Sequence, residues 1–304
     1  MEKIWIENYN EDRFETAVAL GNFDGVHIGH KKLIGKMVES AKELNLRPSI
    51  LLFTNHTKRT IIGDAPSLLT SNSQKEDLIG SIGVETVYKI KFDEKLMKLK
   101  AEDFVKDILI DRLRAKVVVV GFDYRFGHKA MGDSDLLKSL GDKYGFKVIV
   151  MEPVYLGDIL VSSTKIRDLI KEGNLKLANS MLGRNYQVIG RVISGNKIGR
   201  KLGYPTANLE LIEDFTIPKL GVYRTKTTLH GKTYLSATSV GHNPTFHNRD
   251  IRIECHIIDF DEKIYDQYLS LDFIEYLREE IKFERVEDLK AQIEEDIKSI
   301  ISRH

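Results

Sequence analysis

The stretch of this chain that decides its fold reads Ala17-Val18-Ala19-Leu20-Gly21-Asn22-Phe23-Asp24-Gly25-Val26-His27-Ile28-Gly29-His30. Its first four residues are apolar and predict a buried strand, which ends at Gly21. The residues that follow, 31–46, carry apolar side chains at helical spacing, namely Leu33, Ile34, Met37, Val38 and Ala41. The stretch therefore predicts a strand, a glycine-rich turn and a helix.

This turn is suited to bind phosphate. Backbone N–H groups and the positive end of a helix dipole point at it, and glycines allow a phosphate chain to come close. His27 and His30 share a face of the first helical turn, so both can donate to phosphate oxygens. A zinc site is the weaker interpretation, because neither a cysteine nor a third ligand lies nearby in the sequence.

The pattern Gly-x-Phe-Asp-Gly-x-His-x-Gly-His over 21–30 resembles the HxGH motif of nucleotidylyltransferases, in the form found in bacterial FAD synthetases. The resemblance implies that both histidines contact ATP phosphates as charge develops on the leaving pyrophosphate. It also implies that the phosphate of a second substrate attacks the α-phosphorus. The ATP and phosphate site expected from this motif comprises Gly21, Phe23, Asp24, Gly25, His27 and His30.

Length and composition set the broad class of protein. A chain of 304 residues predicts two domains, and its 30% charged and 42% hydrophobic residues are typical of soluble proteins. The net charge of +1 gives no general attraction for nucleic acid or membranes, so we expect neither as a partner. The single cysteine, Cys255, excludes an internal disulfide and any multi-cysteine metal cluster. Because no leader-like segment begins the sequence, we expect a cytoplasmic enzyme. The sequence does not indicate its protein partners.

In the first half of the chain, apolar strands alternate with amphipathic helices. Further strands are predicted at 49–53, 85–90, 116–120 and 147–151, and helices at 73–82 and 101–113. This alternation predicts a Rossmann-like α/β domain with a doubly wound parallel sheet. In such sheets, ligands bind beyond the carboxyl ends of the strands.

A second motif, Ser162-Ser163-Thr164-Lys165-Ile166-Arg167, opens a helix after the last of these strands. Taken alone it is equally well an ordinary helix N-cap. The motif is similar to the second nucleotidylyltransferase motif, which implies that the hydroxyls of Ser162, Ser163 and Thr164 and the guanidinium of Arg167 bind the ATP triphosphate. Arginine is suited to bidentate contact with phosphate.

The segment Phe122-Asp123-Tyr124-Arg125-Phe126-Gly127 resembles the flavin-side loop of the same family. The resemblance implies FMN binding by Asn55, His56, Asp123 and Phe126. The chain departs from the family pattern in two places. It has Asn55-His56-Thr57 where the family commonly has Pro-His-Pro, and Ala130 where an arginine is often found. These departures leave open a weakened or repurposed adenylyltransferase.

Near residue 184 the predicted elements change from alternating strands and helices to short strands, so we place domains at 1–184 and 185–304. Short alternating strands predict a small antiparallel β-barrel, and they lie at 186–193, 206–211, 222–229, 232–240, 252–258 and 269–276. A single amphipathic helix follows, with a stripe that we expect to be core, formed by Val286, Leu289, Ile293, Ile297 and Ile301.

The chemistry of the second half lies at 195–208, which reads Gly-Asn-Lys-Ile-Gly-Arg-Lys-Leu-Gly-Tyr-Pro-Thr-Ala-Asn. Its glycines and cations form a loop that can wrap phosphates. Thr206 and Asn208 project to one side of the following strand and offer neutral oxygens to Mg²⁺ that arrives with ATP. Without further context, a β-turn with both residues as caps is the likelier structure.

This loop, together with 241–246 and 254–260, resembles riboflavin kinase. The resemblance implies that Thr206 and Asn208 hold Mg-ATP, that Glu254 is the catalytic base, and that the ATP site comprises Gly195, Lys197, Gly199, Arg200, Gly203, Thr206 and Asn208. Period-two alternation places Glu254 on the face opposite Cys255, away from the core. The alternative for Glu254 is a solvated strand glutamate paired with Arg252.

Both resemblances together predict a bifunctional enzyme that uses ATP and Mg²⁺. Riboflavin would become FMN at the C-terminal barrel, and FMN would become FAD, with release of pyrophosphate, at the N-terminal domain. Two alternatives stay open from the sequence. One is a riboflavin kinase whose first domain is weakened or repurposed, and the other is a flavin-binding regulator without turnover.

Overall fold

The structure, a computed structural model, describes residues 1–8, 14–55, 66–195, 198–242 and 251–303. It contains two compact units, Met1–Ser162 and Ser163–His304. Residues 163–184, which the sequence analysis assigned to the first domain, therefore belong to the second compact unit, while the functional boundary at 184 stays a prediction. In the described part of the chain, no helix is both long and apolar enough to cross a membrane.

The first unit is built on a parallel sheet of six strands in the order β1-β4-β3-β2-β5-β6. The strands are β1 Glu2–Trp5, β2 Thr16–Leu20, β3 Arg47–Phe53, β4 Thr86–Ile90, β5 Ala115–Gly121 and β6 Lys147–Met151. The predicted doubly wound sheet is thus confirmed, with small shifts at strand ends. The edge strand β1 was not predicted, because it is short and largely exposed and carries no apolar run.

Helices cover both faces of this sheet. They are α1 Ile28–Glu43, α2 Asn72–Gly80, α3 Glu94–Met97, α4 Ala101–Phe104 with its π-helical continuation Val105–Ile110, and α5 Ser134–Tyr144. Two 3₁₀ turns, Ile6–Asn8 and His128–Ala130, and a small hairpin of β7 Tyr155–Leu156 and β8 Ile159–Leu160 complete the described elements of the unit.

The central strands are buried on both sides. In β2, Ala17 and Ala19 pack in one layer, while Val18 and Leu20 pack in the other. The valines of β5 alternate in the same way. The chain order of the strands reverses between β2 and β5, and a crevice at such a switch point is where these sheets bind ligands. The fold therefore brings the turn after β2 and the loop after β5 to one edge.

The second unit is a closed antiparallel barrel with helices around it. Its strands, in the order β10-β13-β12-β11-β14-β9, are β9 Tyr186–Ile193, β10 Ala207–Leu211, β11 Gly221–Leu229, β12 Lys232–His242, β13 Ile251–Ile257 and β14 Tyr268–Arg278. The helices are α6 Ser163–Glu172, α7 Leu175–Leu182, α8 Ile198–Lys201 and α9 Val286–Ser302. The predicted barrel with a terminal helix is confirmed.

The hairpin between β11 and β12 shows why the sequence specifies its register. Leu229 pairs with Lys232, so the connection is the two residues His230 and Gly231. Both have positive φ, 49° and 75°. Two residues in this region match the right-handed twist of the flanking strands, which makes this turn type favourable in tight hairpins.

The barrel interior contains a cluster of hydroxyl groups. Thr225, Thr227, Ser236 and Thr238 are fully buried. The Thr225 hydroxyl lies 2.7 Å from both the Ser236 and the Thr238 hydroxyls, and the Thr227 hydroxyl donates to Ser236 at 2.8 Å. Thr227 also lies 3.2 Å from the Cys255 sulfur. Cys255 is therefore a core residue, as predicted, and burial raises the pKa of its thiol.

The terminal helix α9 corrects one prediction. Val286 and Ile301, two members of the expected core stripe, are 58% and 51% exposed, whereas Ile300 and Asp296 are buried. The buried side is therefore rotated toward Asp296. The expected core stripe does not include this acid, because its partner, Arg278, lies on β14 and helical periodicity does not reveal it.

Two leucine-to-alanine variants test the core of the first unit. Leu109 is fully buried and Leu44 is 55% exposed. Leu109→Ala should lower the free energy of unfolding by about 2–5 kcal/mol, since it leaves a cavity, and Leu44→Ala should change it by less than about 0.5 kcal/mol. Urea denaturation followed by circular dichroism measures both. Similar losses in the two variants would contradict the described core.

Candidate active sites

The two histidines of the first motif lie against each other at the start of α1. Their rings are stacked with centroids 3.6 Å apart. His27 is the N-cap residue, and its Nδ1 accepts a hydrogen bond from the His30 N–H at 3.2 Å. The ring of buried Phe23 packs edge-on against His30 at 5.3 Å. The turn thus holds both imidazoles in one place, as the spacing predicts.

His30 is held neutral and has an unused nitrogen. Burial, helped by neighbouring His27 and Lys75, holds the pKa of His30 well below 6.5. Its Nδ1 is buried and has no hydrogen-bond partner among the described residues. A buried polar atom without a partner is costly, so this nitrogen is available to a ligand.

Asp24 joins the turn to the segment before α2. Its carboxylate accepts hydrogen bonds from the backbone N–H groups of Leu69 and Thr70 at 3.2–3.3 Å and from the Thr70 hydroxyl at 3.3 Å. The same hydroxyl accepts from the Gly25 N–H at 3.1 Å. The groups of Asp24 and Gly25 that were predicted to meet phosphate therefore have internal partners, and their role in binding stays a prediction.

Three other residues of this turn, Gly21, Phe23 and Val26, are closely packed or have an uncommon backbone conformation. A Cβ on Gly21 would come within 3.0 Å of the Phe23 ring. Phe23 and Val26 have positive φ, 49° and 39°, which is uncommon for bulky residues. Backbone strain of this kind persists where the surrounding structure enforces it, and here Phe23 and Val26 are fully buried.

A lysine that the sequence analysis missed lies close to the histidines. Lys75, on α2, is only 8% exposed, and its charge contributes to the low pKa of His30. Ser71 and Gln74 form a capping box at the start of this helix. The sequence around Lys75 therefore indicates only a helix start, and the long-range contact that buries the lysine is not visible in it.

The second motif opens α6 in the second compact unit. Ser162 immediately precedes the helix, and Ser163 is its first residue. Ser162 and Ser163 are half-buried, Thr164 is exposed, and Arg167 is buried. The helix start is confirmed, while triphosphate binding by these four residues stays a prediction.

The predicted FMN-binding residues have mixed environments. Asp123 is exposed after β5, whereas Phe126 is in the core beside Tyr124, with centroids 5.7 Å apart. Asn55 bonds both ways to the Phe92 backbone, donating to its carbonyl at 2.9 Å and accepting from its N–H at 2.8 Å. His56 lies outside the described residues. The Asn55 side chain therefore ties the end of β3 to the loop after β4.

In the second unit, two cavities meet at Thr206. The larger, about 300 Å³, is lined by α9 and by the outward residues of several strands, among them Glu254, His256, Arg278, Leu289 and Ile293. The smaller, about 80 Å³, is lined by the loop at 195–208 and by 260–265. Thr206 lines both cavities. Two ligands bound side by side would therefore come closest at this residue.

Asn208 and Glu254 are directly opposite in the pairing of β10 with β13. Directly opposite residues in antiparallel strands project to one face, so amide and carboxylate are neighbours. Burial alternates along β13 as predicted, with Ile253, Cys255 and Ile257 inside. Glu254 also lies 3.7 Å from the Arg252 guanidinium, so the pairing proposed as its alternative role is present too.

The glycines of this loop make room for its polar side chains. A Cβ on Gly195 would overlap the Asn208 amide, and one on Gly199 would overlap the Tyr204 carbonyl. Gly203 has a φ of 91°, a conformation that favours glycine. Arg200 is exposed and lines the smaller cavity. Lys197 and the segment 243–246 lie outside the described residues.

Three contacts that were not predicted position the cavity walls. His256 Nδ1 lies 2.9 Å from the Pro205 carbonyl oxygen, next to Thr206. The Tyr204 hydroxyl donates to Glu294 of α9 at 3.0 Å. The Arg278 guanidinium donates three hydrogen bonds to Asp296, at 2.6–3.2 Å. These long-range contacts have no local sequence pattern.

Comparison with known proteins gives two family matches. The model described as FAD synthetase matches residues 9–165, and the model described as riboflavin kinase matches residues 182–303.

Similar proteins match over nearly the whole chain. A protein of Buchnera aphidicola (Acyrthosiphon pisum), named bifunctional riboflavin kinase/FMN adenylyltransferase, is 36% identical over 296 residues, covering 96% of this chain and 94% of its own. A Listeria monocytogenes protein of the same name is 37% identical, covering 92% and 89%. A crystal structure from Streptococcus pneumoniae, described as a macrolide-efflux protein, has a TM-score of 0.91 and 30% identity, covering 98% of both chains.

The low pKa of His30 predicts a pH dependence of stability. The unfolded chain binds a proton at this histidine below about pH 6.5 and the folded chain does not, so stability falls as the pH drops below that value. The slope is at most about 1.4 kcal/mol per pH unit. Between about pH 7.5 and about pH 5.5, wild type should lose about 1 kcal/mol more than His30→Gln in urea denaturation. Equal losses would contradict a His30 that stays neutral in the folded chain.

Proposed function

The chain belongs to the family of bifunctional riboflavin kinases/FMN adenylyltransferases, and on that premise we propose which residues carry its two reactions. It phosphorylates riboflavin to FMN with ATP and transfers an adenylyl group from a second ATP to FMN, giving FAD and pyrophosphate. Because both family models match, bifunctional activity is favoured over a kinase with a repurposed first domain and over a regulator without turnover. A cytoplasmic location stays a prediction.

The kinase residues are assigned from one observation, namely that Thr206 lines both cavities. The larger cavity, which has apolar walls from Leu289 and Ile293, is assigned to riboflavin, and the smaller one to ATP. The ribityl hydroxyl would then meet the γ-phosphorus beside Thr206. Glu254 lines the larger cavity next to this point, where its carboxylate can accept the proton of the attacking hydroxyl.

Mg²⁺ fits the same residues. Thr206 and Asn208 both line the ATP cavity and offer a hydroxyl and an amide oxygen. Mg²⁺ prefers oxygen ligands and keeps several waters and phosphate oxygens, so two neutral protein ligands suffice. Held by these two residues together with ATP, the ion would neutralise charge on the transferring phosphoryl group. The overlap that a Cβ on Gly195 would cause with Asn208 supports this role, since the loop closes over the amide.

For the adenylyltransferase, the proposal is based on the stacked histidines, His27 and His30. An FMN phosphate oxygen attacks the α-phosphorus of ATP, and the bond from that phosphorus to the bridging oxygen breaks. The electron pair stays on pyrophosphate. His27 and His30 stabilise this leaving group as hydrogen-bond donors. The unpartnered Nδ1 of His30 supports such a role. Further residues are assigned to ATP or FMN binding from the family resemblance alone, namely Gly21, Ser162, Ser163, Thr164, Arg167, Asp123 and His56.

Glu254→Gln tests the proposed base. The variant should reduce FMN formation from riboflavin, ATP and Mg²⁺ by about 10²–10⁴-fold, because an amide cannot accept the proton, while riboflavin binding persists. Chromatography of the products and flavin fluorescence titration measure the two properties. Glu210→Gln is the matched control, since Glu210 lies on the same sheet, is exposed and pairs with Arg191. Wild-type turnover in Glu254→Gln would contradict the assignment.

His30→Gln tests the separation of the two reactions. FAD formation from FMN and ATP should fall about 100-fold, because one donor to the leaving pyrophosphate is lost. FMN formation from riboflavin should stay at the wild-type rate, since the kinase residues lie in the other compact unit. Both products are quantified in the same reaction by chromatography. Parallel loss of FMN and FAD formation would contradict independent sites.

A further inference from the structure

Lys75 is a buried charged group to which the described structure gives no partner. It is 8% exposed, yet its ammonium makes no hydrogen bond or ion pair within the described residues. The neighbouring Glu76 behaves differently, since it pairs with Lys3 and Lys89 at 2.5 and 2.6 Å. Buried ammonium groups are normally paired, so an unpaired one indicates a missing anion.

The nearby acid does not fill this need. Asp24 attracts the Lys75 charge, but its carboxylate is hydrogen-bonded to Leu69 and Thr70 and forms no ion pair with the lysine. Burial dominates, and it lowers the pKa of Lys75. The lysine thus keeps its donors free of protein partners among the described residues, on a side chain of a residue that is only 8% exposed.

The surrounding scaffold fixes Lys75 beside the histidines. Asp24 accepts hydrogen bonds from Leu69 and Thr70, and Ser71, the next residue, caps the helix that carries Lys75. This chain of contacts ties α2 to the turn that presents His30. The charge of Lys75 acts on the pKa of His30, so its ammonium lies within electrostatic range of the imidazole whose Nδ1 has no partner. A neutral imidazole and an ammonium in one place are suited to bind a polyphosphate.

Resting on the proposed adenylyltransferase function, we propose that Lys75 binds the triphosphate of ATP and holds the pyrophosphate as it leaves. In that step, an FMN phosphate oxygen forms a bond to the α-phosphorus, and the bond from the α-phosphorus to the bridging oxygen breaks. Pyrophosphate takes the electron pair, and Lys75 donates hydrogen bonds to its oxygens. No proton transfer to or from Lys75 is needed.

Lys75→Met separates a role of Lys75 in phosphate binding from a role in stability. A binding role predicts lower activity without loss of melting temperature, whereas a structural role predicts a lower melting temperature. Removing an unpaired buried charge should leave the melting temperature unchanged or raise it. Loss of a phosphate contact should raise the KM for ATP or lower kcat of FAD formation, together by about 10- to 100-fold in kcat/KM, with the KM for FMN unchanged. Lys75→Arg should restore part of the activity.

Lys89→Met is the matched control. Lys89 pairs with Glu76, next to Lys75, and is not part of either site. This variant should lower the melting temperature while kcat/KM for ATP stays at the wild-type value. A Lys75→Met protein that loses stability but keeps wild-type kcat/KM for ATP would overturn the proposal.

Titration with inorganic pyrophosphate by calorimetry separates failure of this proposal from failure of the proposed function. Full-length wild type should bind pyrophosphate about 10- to 100-fold more tightly than Lys75→Met, whether or not FAD forms. Wild type that makes no FAD would overturn the adenylyltransferase assignment and leave this comparison intact. Equal pyrophosphate affinities in wild type and Lys75→Met would overturn the role of Lys75.

Discussion

The first site depends on one buried carboxylate. Asp24 accepts hydrogen bonds from two consecutive backbone N–H groups, those of Leu69 and Thr70, and so joins two segments that are distant in the chain. A carboxylate saturated by N–H donors is a strong, geometrically fixed anchor. It fixes the turn that carries the stacked histidines and the start of α2 together. The strained Phe23 and the buried Lys75 lie on the two segments that this anchor joins.

The second site depends on the pleat of a strand rather than on a buried anchor. Along β13, each residue that packs into the barrel alternates with one that faces a cavity. The same periodicity places Cys255 among the interior hydroxyls and Glu254 beside Asn208. Because strand period and pairing register fix both faces together, the proposed base Glu254 and the proposed metal-binding amide of Asn208 lie opposite each other without any dedicated loop.

The sequence predicts those features that local periodicity or turn chemistry encodes. The doubly buried strands, the barrel strands and the His230-Gly231 turn all have patterns within a few residues. The features that it did not predict depend on distant partners. Asn55 is fixed by Phe92, and Asp296 is buried only because Arg278 meets it. The same limit applies to sites, since motifs indicate the histidines but no pattern shows which lysine becomes buried.

Charged residues with a structural role in this chain are paired with an opposite charge, whereas those proposed to act on substrate are loosely paired or unpaired among the described residues. Arg278 donates three hydrogen bonds to Asp296, at 2.6–3.2 Å, so their pair stabilises the position of α9. Among the described residues, Glu254 has only a loose contact with Arg252 at 3.7 Å, and Lys75 has no ion pair. A group that is fully paired before substrate binds must lose those partners to act, whereas a group left unpaired binds substrate without that cost. The unmet hydrogen-bonding capacity around His30 and Lys75 is therefore a cost to folding that the proposed substrate binding would recover.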